Sequence, residues 1–135
     1  MFITSPTFLR TILVMIVLLA GTVSAQFLVP VQTLTDGEGG VASLQGAAEI
    51  ALSPDGRHAY VAASNSNALV VLSRDDDSGT LTSIQVLLDG ENGVDGLNRA
   101  NSVGVSPDGN HVYVASTGDN AVSVFSRDSE SGQLR

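Results

Sequence analysis

Ser53-Pro54-Asp55-Gly56-Arg57-His58-Ala59-Tyr60-Val61-Ala62 returns almost unchanged as Ser106-Pro107-Asp108-Gly109-Asn110-His111-Val112-Tyr113-Val114-Ala115, 53 residues further on. The same offset holds outward in both directions: Asp36-Gly37-Glu38 meets Asp89-Gly90-Glu91, and Ser73-Arg74-Asp75 meets Ser126-Arg127-Asp128. Aligning 28–80 with 81–133 leaves about half of the positions identical. A period of this length is the mark of an array whose single unit cannot bury its own apolar face.

Within one unit, short apolar runs stop at Pro-Asp-Gly, where Pro presets φ for the turn and Gly supplies a positive φ. The strand pattern resumes at once, at His58 to Ala63 and at His111 to Ser116. Asn65-Ser66-Asn67 and Gly118-Asp119-Asn120 close that strand, and a third runs from Ala68 to Ser73 and from Ala121 to Ser126. It ends at Asp75-Asp76-Asp77-Ser78-Gly79 and Asp128-Ser129-Glu130-Ser131-Gly132, two Asx-initiated turns closed by Gly. Leu81 to Leu87 forms the fourth strand, echoed earlier by Leu28 to Leu34. After residue 25 no stretch has the 3.6-residue periodicity of a helix. The expected fold class is therefore all-β. Both parities of Ala68-Leu69-Val70-Val71-Leu72 are apolar, so these sheets are covered on both faces. Four-stranded antiparallel sheets stacked around an axis are β-propeller blades. The competing parallel β-helix has a shorter repeat and lacks hairpin turns.

The first 25 residues read differently. Arg10 is followed by Thr11-Ile12-Leu13-Val14-Met15-Ile16-Val17-Leu18-Leu19-Ala20 and by small residues ending Val23-Ser24-Ala25. That is the shape of a secretory signal peptide cut before Gln26. A retained anchor wants about 20 apolar residues, and Gly21, Thr22, Ser24 and Gln26 interrupt the run too early. The expected location is secreted or periplasmic, with no stable membrane span once the leader is removed. The expected organisation is leader 1–25, an opening outer strand 26–35, a first repeat 36–88, and a second repeat 89–135 that stops before its last strand.

All 14 acidic residues lie after residue 25, against five Arg and no Lys, a net charge near −9 for that part. The Arg are scattered, so no phosphate-tracking surface is available and nucleic acid is not an expected partner. Zero cysteine excludes thiolate catalysis, disulfides and Cys-ligated metals. With no Trp, the core must be built from Val, Leu, Ile and Ala.

Ser-Pro-Asp-Gly, His-x-Tyr-Val-Ala, Asn-Ala-x-x-Val and Ser-Arg-Asp together resemble the lactonase-like seven-bladed propellers and their YVTN-repeat relatives, over Leu28 to Arg135. Where a YVTN repeat has its final Asn, this chain has Ala63 and Ser116. The resemblance implies blades of a ring in which Leu28 to Leu34 would complete the last blade. Two blades fall short of the 4 to 8 that close a ring. Two explanations follow: a fragment of a longer propeller, or self-assembly in which Leu28 to Leu34 of one copy completes the second blade of its neighbour until three or four copies close.

Repetition also sorts the chemistry, because one active site needs its groups only once. His58 and His111, Asp55 and Asp108, and Tyr60 and Tyr113 recur and so read as turn and inter-blade scaffold. Gly104-Val105-Ser106-Pro107-Asp108 lacks the closing Gly of a nucleophile elbow. Asp89, Glu91 and Gly93 miss the ligand and glycine positions of a calcium loop, and Asp75-Asp76-Asp77 is a solvated turn. No metal and no cofactor is expected. The copies differ most just before the innermost strand, at Ala42/Asp95, Gly46/Arg99, Ala48/Asn101 and Glu49/Ser102. Glu49, Arg99 and Asn101 are the ligand-binding candidates, Arg99 as a clamp for an anion or carbonyl and Glu49 as a base. Two functional classes remain. One is an exported propeller acting as a binding or structural scaffold for a small molecule or protein. The other is a lactone hydrolase of the propeller type, active only in a complete propeller, in which a carboxylate or His activates water and an Arg or backbone donors hold the oxyanion. Export argues against an intracellular phosphosugar substrate. No catalytic residue is assigned.

Overall fold

The computed structural model describes residues 28–135, all of it strand, turn and loop; the expected leader lies outside the described residues. Among the described residues seven strands form two sheets: β1 Ala47–Leu52, β2 His58–Ala63, β3 Ala68–Arg74 and β4 Leu81–Leu88, then β5 Ala100–Val105, β6 His111–Ser116 and β7 Ala121–Ser126. The first sheet runs β1-β2-β3-β4 and the second β5-β6-β7, every neighbouring pair antiparallel. Among the described residues no helix is long and apolar enough to cross a membrane.

Each hairpin follows from its turn residues. Ser53 Oγ donates to Asp55 Oδ1 at 2.5 Å, and that carboxylate accepts the Arg57 N–H at 3.0 Å. Gly56 closes the turn at φ 73°. Ser106, Asp108 and Gly109 repeat the arrangement, so the turn is encoded locally. The apolar runs Glu49 to Ser53 and Ser102 to Ser106 lead to the expectation of first strands there, and the strands begin two residues earlier, at Ala47 and Ala100. In both, the register shifts at the same place, between Ala47 and Glu49 and between Ala100 and Ser102, so Ala48 and Asn101 are bulged out of the ladder.

The sheets pack face to face. Tyr60, Ala62, Leu69, Val71 and Leu87 of the first sheet meet Leu97, Ala100, Val103, Val112, Val114, Phe125 and Leu134 from the second repeat. Burying a side chain of this size is worth roughly 1.5–3 kcal/mol gross, so Tyr60, Leu69 and Val71 alone supply much of what holds the sheets together. Their copies tell the converse. Tyr60, Leu69 and Val71 are 0% exposed, whereas Tyr113, Val122 and Val124 are 42%, 67% and 56% exposed. The second sheet presents the same apolar face outward.

Residues 28–35 do not form the expected outer strand. A ladder needs main-chain pairing, and no described strand pairs with them. They are instead held side-on to the first sheet: Gln32 Nε2 donates to the Leu81 carbonyl at 3.0 Å while Leu81 N–H donates to Gln32 Oε1 at 2.7 Å. Gln85 grips Leu134 identically, at 3.1 and 2.8 Å. Residues 28–35 thus sit against the first sheet as β4 sits against the second.

Close approach of the sheets is decided at Gly132. Its φ is 75°, and a Cβ there would overlap the His58 ring, whereas one at Gly37, φ 79°, would meet open space. Gly37→Ala should cost about 1 kcal/mol of unfolding free energy, from left-handed strain alone. Gly132→Ala should cost about 2–5 kcal/mol, because overpacking is added to that strain. Urea unfolding of the two variants measures the difference; equal losses would show that the sheets do not meet there.

Candidate functional site

The three ligand-binding candidates lie at or just before the start of the inner strands, Glu49 in β1 and Arg99 and Asn101 at the lead into β5, and β1 lies beside β5. Glu49, in β1, accepts the Val103 N–H of β5 on Oε2 at 2.8 Å. It caps an amide on the open edge of the second sheet, a donor that would otherwise lack a protein partner. The Ser102 hydroxyl and that Val103 amide hold its carboxyl below the ordinary carboxylate range, against a small opposing effect of burial. A carboxylate stabilised as the anion and already engaged is a weak base.

Arg99 is different. It precedes β5 at φ 55°, and its counterpart in the first repeat is Gly46 at φ 67°. A left-handed backbone costs a side-chain-bearing residue roughly 1–2 kcal/mol relative to the usual helical region, so Arg occupies a position that suits Gly. Its backbone is fixed on both sides, with N–H to Asn67 Oδ1 at 2.8 Å and its carbonyl accepting Thr117 N–H at 3.2 Å. Its guanidinium has no hydrogen-bond partner among the described residues. Asn101, bulged from β5, is exposed beside it in sequence. The loop after β6 closes on the same place: Gly118 N–H donates to the Asn98 carbonyl at 3.0 Å, and Asn98 N–H to Asp119 Oδ2 at 2.9 Å. Ser116, just before that loop, has a buried hydroxyl with no partner among the described residues.

Around this mouth the structure brings together an acidic trio absent from any sequence motif. Asp89, Asp95 and Asp119 offer carboxylate oxygens within 4.8 Å of one another. Each already accepts a backbone amide: Asp89 from Leu97 at 2.9 Å, Asp95 from Gly96 at 3.0 Å, Asp119 from Asn98. Two of these bonds recur in the first repeat, Asp36 with Leu44 and Ser66 with Gln45, where Ala42 stands in place of Asp95. The trio is thus mostly loop scaffold, and three oxygens fall short of the 6–8 that calcium takes. The sequence hid it because its members come from three separate segments.

A second cluster of ionisable groups lies between the sheets, with Arg127, His58 and Tyr60 buried and Asp55 partly exposed at its edge. Arg127, just after β7, donates from Nε to Tyr60 Oη at 2.6 Å, from one terminal nitrogen to the Gly109 carbonyl at 2.9 Å, and from the other to Asp55 Oδ2 at 3.0 Å and His58 Nδ1 at 2.9 Å. Arginine cannot accept, so His58 Nδ1 is the acceptor and the ring is neutral with its proton on Nε2. Burial and the Arg127 charge hold His58 below its ordinary pKa. Burial works against ionised Asp55, but hydrogen bonds from Ser53, Arg57 and Arg127 together with the Arg127 charge outweigh it and depress its pKa strongly. Burial pushes the Tyr60 phenol up, and its hydroxyl donates to the Gly132 carbonyl at 2.9 Å. Asp, His, Tyr and Arg in contact have the composition of a catalytic site, yet Tyr60 Oη, Asp55 Oδ2, His58 Nδ1 and the Arg127 guanidinium are all engaged in holding the two sheets together.

A family model described as Lactonase, 7-bladed beta-propeller, matches residues 50–135. The chain belongs to that family. Solved propellers agree with this lactonase-family assignment. A 6-phosphogluconolactonase candidate from Bacteroides fragilis has 28% identity and TM-score 0.60 over 70% of this chain and 26% of its own. A Lactobacillus plantarum protein has 27% identity and TM-score 0.60 over 70% and 27%. The periplasmic gluconolactonase of Pseudomonas aeruginosa has 28% identity and TM-score 0.57 over 68% and 25%. The lactonase-family chain thus spans about a quarter of the length of these propellers. No curated protein matches it.

The buried cluster predicts that this lactonase-family chain loses stability in acid. A His held below its ordinary value binds its proton more readily unfolded, so its stabilising effect is complete above about pH 6.5 and fades as pH falls below that. Asp55, depressed in the folded state, adds a further loss only below about pH 4. Unfolding free energy should therefore decline between about pH 7 and 5, and His58→Asn should flatten that slope. Arg127→Gln should cost about 2–3 kcal/mol from lost charge-assisted hydrogen bonds, and Arg127→Lys should not rescue it because Lys lacks the planar fork. A pH series of chemical melts reads both.

Proposed function

We propose that this chain is an exported, binding-type member of the lactonase propellers, with Arg99 as the anion or carbonyl anchor of a small-molecule site at the mouth of the inner strands. The carrying observation is Arg99 itself, a solvent-facing guanidinium on left-handed backbone where the other repeat has Gly46. Strain kept at one copy of a repeat and absent from the other points to a role for the side chain. A guanidinium presents two parallel donors suited to a carboxylate, a phosphate or a lactone carbonyl, and Asn101 adds an amide on the same segment. Glu49 supports binding over turnover, because its carboxylate is engaged with Val103 and held in the anionic form. Export rests on the leader read at residues 1–25 and fits the periplasmic location of the Pseudomonas aeruginosa relative.

Lactone hydrolysis is the second reading. It is favoured by the family match and by the gluconolactonase among the structural neighbours. There Arg99 would hold the carbonyl oxygen and Glu49 would activate water.

The purified chain should bind gluconate in calorimetry, with affinity falling as salt rises, and should leave gluconolactone hydrolysis at the buffer rate. Arg99→Gly should weaken that binding at least about tenfold, while unfolding free energy stays level or rises by up to about 1 kcal/mol as strain is relieved. Binding unmoved by Arg99→Gly would sink the anchor. Hydrolysis abolished by Glu49→Gln would establish the enzyme instead.

A further inference from the structure

Between β4 and β5 the chain reverses through Glu91-Asn92-Gly93-Val94. Val94 N–H donates to the Glu91 carbonyl at 2.9 Å, and Asn92 and Gly93 both have positive φ, 53° and 82°. These are the marks of a type I′ turn, for which Asn-Gly is a favoured central pair. In the first repeat Glu38-Gly39-Gly40-Val41 makes the same turn, with Val41 N–H donating to the Glu38 carbonyl at 3.0 Å and φ of 59° and 80°. Gly is therefore sufficient for the turn, and Asn92 adds a side-chain amide to it.

That amide stands next to a free backbone nitrogen. Asn92 is the one asparagine of the chain followed by Gly, so no Cβ hinders approach of the next nitrogen to its side-chain carbonyl. Neither the Gly93 N–H nor the Asn92 side chain has a hydrogen-bond partner among the described residues. The Asp-Gly steps differ. After Asp36, Asp55, Asp89 and Asp108 the Gly N–H donates to a carbonyl at 2.8 to 2.9 Å, and after Asp95 it donates to the Asp95 carboxylate at 3.0 Å. A carboxylate is also a poorer electrophile than an amide. The turn is open to water in both repeats: Gly39 and Gly40 are exposed with β4 in place on their sheet, and Asn92 and Gly93 are exposed with the first sheet packed against theirs. Neither a fourth strand nor a preceding blade covers it.

We propose that Asn92-Gly93 is a site of spontaneous deamidation, an ageing point in the loop that leads into β5. Solvent takes the Gly93 amide proton, the nitrogen bonds to Asn92 Cγ, and the side-chain nitrogen regains a proton from solvent and leaves as ammonia, closing a succinimide. Water then opens the ring at either carbonyl, giving an aspartyl or an isoaspartyl residue. The aspartyl product suits the turn as asparagine does. The isoaspartyl product carries the main chain through the former side chain, longer by a methylene. The Val94 to Glu91 bond and the Gly90 N–H to Val94 carbonyl bond, also 2.9 Å, are then lost together. Val94 packs against the core between the sheets and Asp95 follows it, so the displacement passes into the lead of β5. Neither the chemistry nor its test depends on what the mouth binds.

Purified chain is aged at mildly alkaline pH, digested with trypsin and read by mass spectrometry. Cleavage after Arg74 and Arg99 releases residues 75–99, in which fragmentation separates Asn92 from Asn98. Conversion should concentrate at Asn92, with an isoaspartyl product that an isoaspartyl methyltransferase labels. Its rate in the folded chain should lie within about tenfold of the rate in urea-unfolded chain. Asn92→Gly, which rebuilds the turn of Gly39 and Gly40, should keep the fold and remove that labelling. Aged wild-type chain should lose unfolding free energy that aged Asn92→Gly retains. Conversion in the folded chain slower by more than about tenfold overturns the proposal, because the turn then protects Asn92. So does labelling that Asn92→Gly leaves undiminished.

Discussion

The planar fork of Arg127 reaches from the end of β7 to four acceptors, three of them in the first repeat and one in its own turn. That single buried cation fixes the tautomer of His58, keeps Asp55 ionised and positions the Tyr60 hydroxyl to donate to Gly132. A lysine could fill one of these places and no other side chain could fill all four. Apolar burial supplies most of the attraction between the sheets, but it is not directional. The fork supplies register. It sets how far one blade is rotated and shifted on the next, and so where the inner strands and their lead-in loops come to rest.

Because the blade is repeated, each residue can be compared with itself in another environment. Tyr60 and Tyr113, Arg74 and Arg127, and Gly79 and Gly132 are chemically identical pairs on equivalent backbone. One of each is sealed between sheets and the other faces water or a cavity. The difference cannot come from local sequence, which is shared. It comes from whether a neighbouring blade stands on that side, which is the physical meaning of a unit that cannot bury its own face. An exposed apolar sheet and an open strand edge are poorly tolerated in water, so the same comparison that explains the internal interface says where the next one belongs.

The sequence made the hairpins legible because their causes are local. Pro-Asp-Gly with its flanking Ser specifies a turn by bonds spanning five residues, and the limits of β2 and β6 can be read from it directly. Inner strands were harder: the bulges at Ala48 and Asn101 break the period-2 alternation on which strand reading relies. Residues 28–35 carry a strand's pattern but form no ladder, since pairing depends on a neighbour that sequence cannot place. Of the mouth residues, Arg99 and Asn101 stood out because the repeats disagree there. What the sequence concealed was that Glu49 is committed to the Val103 amide, and that Asp89, Asp95 and Asp119 converge. Both are contacts between segments far apart in the chain.

Repetition offers a reason why ligand chemistry should collect at this mouth rather than at the buried Asp-His-Tyr-Arg cluster. A change at Arg127, His58 or Gly132 alters the angle between blades and is penalised at every interface that uses it. Gly46 and Arg99 share a left-handed backbone and keep the same main-chain bond to the loop after the second strand of the sheet, as Ser64 with Gly46 and Thr117 with Arg99 both show, but a Cβ at Gly46 would meet Ser64 and Asn65, so the side chain fits only in the second repeat. The scaffold bonds at that position are made by the backbone, so the second repeat keeps them while carrying Arg99. At Arg99 the frame is held by main-chain groups, which is what leaves its guanidinium available for the proposed site.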